Sequence, residues 1–254
     1  MKALLRHPFR VVGRLLWMNA EFVIIAVVFV LRCGFRPSHS TVMKRAAWLQ
    51  YATRRFLRIF AATVRTSGPV PTNGLLVCNH LSYVDILVLA SLTPAVFVAK
   101  REVKSWPVFG WFAKLAGTLF VDRERKTRVG LTTNEIQSAL DQGALVVLFP
   151  EGTSSGGETV LPFKSSLLEP ATRQTNSLFA GLIQYEIEDG DVSEEVCYWK
   201  DTHTLLPHLV NLFSKRTVHA TVRFTQLREG STDRKELAKQ LHSEILRLKE
   251  SPAF

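Results

Sequence analysis

The sequence predicts an α/β domain over residues 67–254, preceded by a membrane-associated pair of helices over residues 1–66. Two observations carry this. Beyond Pro69-Val70-Pro71, short apolar runs alternate with stretches of helical periodicity, the pattern of a sheet flanked by helices. Charge is also unevenly placed: residues 1–66 hold twelve Lys/Arg and one acid, Glu21, whereas the remainder holds 20 basic and 21 acidic residues. With 46% hydrophobic and 21% charged residues in 254, the chain is neither disordered nor of low complexity.

The N-terminal block contains FVIIAVVFVL at 22–31, extendable back to Leu15 as a stretch of 17. A spanning helix needs about 20 apolar residues and tolerates a central acid such as Glu21 poorly. Arg6, Arg10 and Arg14 precede the run, and Arg32, Arg36, Lys44 and Arg45 follow it, without the one-sided bias of a spanning segment. Leu31-Arg32-Cys33-Gly34 offers no small-x-small cleavage site, which opposes a secretory signal. After Gly34 and Pro37, a second helix is expected over 41–65, capped by Thr41. Its stripe runs Val42, Ala46, Leu49, Thr53, Phe56, Phe60, Val64. The expectation is a monotopic hairpin lying in a membrane surface. Nucleic acid is not an expected partner, since it does not explain the apolar run and no nucleic-acid-binding motif is present.

In the domain, strands are expected at Leu75–Cys78, Ala95–Ala99, Thr118–Val121, Ala144–Phe149, Ser177–Tyr185 and Val218–Phe224. Helices are expected at Tyr83–Ala90, Val108–Leu115, Asn134–Gln142, Lys164–Ala171, Leu205–Phe213 and Thr232–Leu248, the last capped by Ser231 or Thr232. The acidic stretch Glu186–Glu195 reads as a solvated loop. Cys33, Cys78 and Cys197 are too few and scattered for a disulfide framework, and no Cys/His cluster has zinc spacing, so a reducing compartment and no metal are expected.

In such sheets chemistry gathers in the loops after strands, and three strand ends carry unusual polar residues. In the first, Asn79-His80 is followed by Asp85: a base active near neutral pH, with a carboxylate to orient it if Ser82 caps the next helix. In the second, Gly117-Thr118-Leu119-Phe120-Val121-Asp122-Arg123 delivers an Arg whose fork suits phosphate. The third, Phe149-Pro150-Glu151-Gly152-Thr153, sets an acid beside a glycine that permits close backbone approach. Gly152-Thr153-Ser154-Ser155-Gly156 also matches the serine-hydrolase pattern, but that elbow needs a helix directly after the serine. Here Gly156-Gly157 and Pro162 oppose one.

Together, in order, these blocks resemble the glycerolipid acyltransferase family, and lysophosphatidic acid acyltransferases within it. Its Asn-His-x4-Asp matches Asn79, His80 and Asp85; its Gly-x-x-Phe-x-x-Arg matches Gly117, Phe120 and Arg123; its Phe-Pro-Glu-Gly-Thr matches 149–153. The segment from Ala99 and Lys100 through Trp106-Pro107 to Gly110 is also similar, so the resemblance spans about residues 15–215. It implies a mixed sheet flanked by helices and acyl transfer from CoA or acyl carrier protein to a lysolipid hydroxyl, with no cofactor beyond that co-substrate. His80 would be the base and Asp85 its orienter. Arg123 would bind the acceptor's phosphate, and Glu151 and Gly152 would position the acceptor. Asn79, Lys100 and Thr153 join them as candidate substrate contacts. The expected acceptor is lysophosphatidate and the expected place the cytoplasmic face of a bacterial inner membrane. Ser154, where many members have a basic residue, together with Tyr198-Trp199, Asp201 and Pro207-His208, resembles a bacterial branch that also acylates lyso-ornithine lipid, the alternative acceptor. A non-catalytic lipid-binding protein and a hydrolase using water are the remaining readings.

Overall fold

The computed structural model describes residues 7–34, 41–122, 126–173, 175–198 and 204–251, the side chains of 126–129 excepted. Arg123, Pro37, Trp199 and Asp201 lie outside the described residues. Seven strands form one mixed sheet: β1 (Ala62–Ser67), β2 (Gly74–Cys78), β3 (Ala95–Lys100), β4 (Leu119–Val121), β5 (Leu145–Leu148), β6 (Leu178–Glu186) and β7 (Val218–Leu227), in the order β1-β7-β6-β2-β5-β3-β4. Strands β6, β2, β5, β3 and β4 are mutually parallel, and β7 pairs antiparallel with β6 and parallel with β1. Central strands β2 and β5 are buried at every position, which explains their unbroken apolar sequences.

The longer helices are α1 (Pro8–Cys33), α2 (Val42–Ile59), α3 (Val84–Leu92), α4 (Phe109–Ala116), α5 (Lys126–Asp141), α6 (Leu205–Ser214) and α7 (Arg234–Glu250). Helices α2, α3 and α6 supply Leu57, Val88 and Leu212 to the core on one face of the sheet. On the other face α5 and α7 supply Ile136, Leu140, Leu237 and Leu241.

Several expectations are corrected. The second helix, expected to reach residue 65, stops at Ile59. Ala61, at φ 49°, turns the chain, and Ala62–Ser67 becomes the edge strand β1 paired with β7. Alternation in Thr63-Val64-Arg65-Thr66 suits an edge strand better than a helix. The helix expected at 164–171 is a 3₁₀ turn at Ser165–Leu167 followed by one helical turn at Glu169–Thr172, because Pro170 lacks the N–H a continuous helix needs. Helix α5 begins eight residues earlier than expected, at Lys126. Helix α7 is capped by Asp233, which accepts from the N–H groups of Lys235 and Glu236 at 2.8 and 3.0 Å, while Ser231 Oγ accepts from the Asp233 N–H. The acidic stretch is not wholly solvated: Glu195 pairs with buried Lys215 at 2.8 Å.

Helix α1 has 26 residues, about 39 Å at 1.5 Å per residue. By length and composition alone it is long and apolar enough to cross a membrane, with a mean hydropathy of 2.0 in its best window. That corrects the 17-residue estimate, which ended the helix at its polar residues. Glu21 does not interrupt it, because its carboxylate turns inward to the Arg55 guanidinium and accepts the Trp17 indole N–H at 2.9 Å. Helices α1 and α2 pack against each other through this pair, through Trp48, which donates to Ile25 O at 2.9 Å, and through the edge-on rings of Phe29 and Trp48.

Arginines of this block also reach helix C-termini in the domain, where the last carbonyls lack partners and carry partial negative charge. Arg10 donates to Ser214 O at 2.7 Å, and Arg14 to Phe213 O and Lys215 O at 3.0 and 2.5 Å, closing the end of α6. Arg45 donates to Leu115 O and Lys114 O at the end of α4, and Arg54 to Ser91 O at 2.7 Å near the end of α3.

Candidate active site

Strand β2 runs out at Cys78, and the next seven residues fold around a carboxylate. Asp85, wholly buried, accepts at Oδ2 from the N–H groups of Leu81 (2.7 Å) and Ser82 (3.0 Å) and from His80 Nδ1 (2.8 Å). Among the described residues the Ser82 hydroxyl expected to cap α3 has no hydrogen-bond partner, and the helix has no side-chain cap; the Asp85 carboxylate instead gathers the N–H groups of the loop before it. Because the carboxylate only accepts, the imidazole donates through Nδ1 and carries its lone pair on Nε2. The His80 ring stacks on Phe149 at the end of β5, with centroids 4.2 Å apart, and its side chain keeps 21% exposure.

Two polar residues beside His80 turn inward. Asn79 continues the β2–β6 pairing past the strand end: its amide donates to Ile183 O at 3.0 Å, and its oxygen accepts the Ile183 N–H at 2.7 Å. Glu151 accepts the His80 N–H at 2.7 Å and the Leu161 N–H at 3.1 Å, one on each oxygen. Burial pushes its acid up to about 7, against the pull of those two bonds. The Ser155 N–H donates to His80 O at 3.0 Å, so the loops after β2 and β5 are tied at both ends of the histidine.

The structure therefore brings His80, Asp85, Asn79, Glu151 and Gly152 into one cluster. Gly152 sits at φ 78° in the turn after Pro150 and is buried. Lys100, half-buried at the end of β3, and exposed Thr153 line the same cavity as His80. That cavity has a volume of about 270 Å³ and is mostly apolar. It runs from His80 and Phe149 to Met18 and Phe22 of α1, Phe56 of α2 with Phe60 just after it, and Phe112 of α4. Ser154 is no nucleophile elbow: its hydroxyl donates to Tyr198 O, and the residues after it form no helix.

Sequence reasoning missed three features. The aromatic run of the N-terminal helices was read as membrane-facing, yet part of it walls the cavity. Tyr83, beside His80 in the cavity wall, donates to His208 Nδ1 at 3.1 Å, while His208 Nε2 donates to Cys197 O at 3.0 Å. Tyr185 of β6 donates to Asp85 Oδ1 at 2.7 Å. One signal was available for Tyr185: a phenol that continues the buried face of an apolar strand needs a buried partner.

The sequence model of the acyltransferase family matches residues 61–179, which include His80, Asp85, Asn79, Glu151 and Gly152. A lyso-ornithine lipid O-acyltransferase of Brucella abortus is 31% identical, over 91% of this chain and 94% of its own length. The chain belongs to the glycerolipid acyltransferase family. A 1-acyl-sn-glycerol-3-phosphate acyltransferase of Neisseria gonorrhoeae is 34% identical over 52% of this chain and 56% of its own. The fold is similar to that of a solved structure, the 1-acyl-sn-glycerophosphate acyltransferase PlsC of Thermotoga maritima. The TM-score is 0.64 at 16% identity, over 99% of this chain and 100% of that one.

Proposed function

We propose that this protein transfers a fatty acyl group from a thioester, on CoA or acyl carrier protein, to the free hydroxyl of a lysolipid at a membrane surface. The observation that carries the reading is the His80–Asp85 pair opening onto an apolar cavity. His80 Nε2 takes the acceptor's hydroxyl proton as the oxygen attacks the thioester carbonyl. The carbon–sulfur bond breaks, and the leaving thiolate recovers the proton from the imidazolium, which Asp85 stabilises. No acyl-enzyme forms. The cavity holds an acyl chain away from water, where each CH₂ is unfavourable by about 0.8 kcal/mol.

Lysophosphatidate is the acceptor expected from the strand-end blocks, with Arg123 as its phosphate ligand. Lyso-ornithine lipid is the second reading, favoured by the relative that matches over 94% of its length. Membrane association is supported by the apolar residues α1 leaves exposed, including Phe9, Leu16, Val23, Val27 and Leu31. We place the protein monotopically on the cytoplasmic face, where acyl donors are made.

Purified protein, labelled acyl donors and a panel of lysolipids test this. Transfer to lysophosphatidate or lyso-ornithine lipid is expected, and His80→Ala should lower it by roughly 10²–10⁴-fold while folding is retained. Wild-type turnover in His80→Ala would end the mechanism. Free fatty acid as the sole product would establish a hydrolase instead.

A further inference from the structure

We propose that Tyr185 is a positioning residue for the reaction, acting through Asp85 to hold the His80 imidazole in line. This rests on His80 being the base. The two oxygens of Asp85 are unequally served. Oδ2 receives three donors, from His80, Leu81 and Ser82, whereas among the described residues the Tyr185 hydroxyl is the one donor to Oδ1. The carboxylate is wholly buried, so no solvent replaces a missing partner. Without the phenol, one oxygen of a buried charge is left bare, and rotation about the carboxylate's last bond exchanges the oxygens that face His80.

The placement of Tyr185 is built by the sheet. Strand β6 lies beside β2 with Gly181 opposite Cys78, and Asn79 carries that register on to Ile183. Gly181, Ile183 and Tyr185 alternate onto one face of β6, so the strand that brackets Asn79 also aims the phenol at Asp85. The close approach is enforced at Gly181, where a Cβ would stand 2.5 Å from Cys78 Sγ. Tyr185 is itself buried in the core on that face and does not line the acyl cavity, so it acts on the reaction without touching the acyl chain. Burial and the neighbouring carboxylate hold its phenol well above the usual range, which keeps it a donor throughout the working pH.

The test is Tyr185→Phe, which removes one oxygen and keeps the ring. The kcat should fall about tenfold, in proportion to one lost hydrogen bond to a charged group, with KM unchanged for both donor and acceptor. The low-field proton resonance of His80 Nδ1–H, a direct report on its bond to Asp85, should move. Replacing Tyr185 with a ring-fluorinated tyrosine, a stronger donor of nearly the same shape, should move that resonance in the opposite sense. In an Asp85→Asn background Tyr185→Phe should add little further loss. Full kcat in Tyr185→Phe, an unmoved resonance in both variants, or an equal loss in the Asp85→Asn background would each overturn the proposal. Failure of the base assignment would show separately, as wild-type turnover in His80→Ala.

Discussion

The N-terminal helices and the strand-end loops use charge in opposite ways. The helices carry a large formal surplus, and much of it is consumed internally. Arg10, Arg14, Arg45 and Arg54 close helix C-termini, and Arg55 neutralises Glu21. Beside His80 two acids, Asp85 and Glu151, are buried against N–H donors. The surplus is therefore not a measure of the charge left on the surface, and the near-neutral domain is not electrostatically bland around His80. Counting charges finds where they lie in the chain, and pairing decides what they do.

The largest structural effect is expected at Asn79. Asn79→Ala leaves the N–H and C=O of Ile183 buried without partners, at about 1–3 kcal/mol each. Chemical denaturation should show a loss of several kcal/mol, with activity falling alongside. An unchanged midpoint would mean the β2–β6 pairing does not depend on this side chain.

Glu151→Gln comes next. The amide can accept only one of the two backbone N–H groups, and its NH₂ faces the other, a cost of about 1–3 kcal/mol. The pH dependence sharpens this. The folded value, about 7, lies above the 4.5 of the unfolded chain, so the native state holds the proton longer. The associated stability is complete below about 4.5 and is lost as pH rises towards 7. Thermal melts across that window should show a downward slope in the wild type that is reduced in Glu151→Gln. Parallel curves would remove Glu151 as its source.

Smaller effects separate latching from lipid binding on α1. Arg14→Ala should cost about 1–2 kcal/mol of stability by uncapping α6, with little change in affinity for anionic vesicles. Leu16→Asp, on the same helix as Arg10 and Arg14 in an exposed position, should leave the melt within about 0.5 kcal/mol and weaken vesicle binding. Flotation with vesicles and a melting curve on each variant measure both. The reverse outcome would return the arginines to the lipid surface.

Much of this was legible in advance. The strands β2, β3, β4 and β5 follow from apolar runs bounded by Gly, Pro and polar residues. The His80–Asp85 contact was legible from the spacing, because the two residues lie five positions apart across one strand-to-helix turn. Strand β1 was hidden because an edge strand of Thr and Arg resembles the polar end of a helix. Helix α1 was underestimated because its length was read from the apolar run, whereas the helix continues past Arg14 to Pro8 and through Arg32 to Cys33.

The sequence by itself determined the α/β class, the order of the strand-end blocks and the apolar character of the N-terminus, since each rests on contacts between residues near in the chain. Only the tertiary structure decided that Asn79 and Glu151 turn inward, that the N-terminal arginines close helix ends, and that Tyr185 meets Asp85 from 100 positions away. Those roles depend on which buried donor lies opposite which acceptor. That is set by strand order and helix packing, and no local pattern records it.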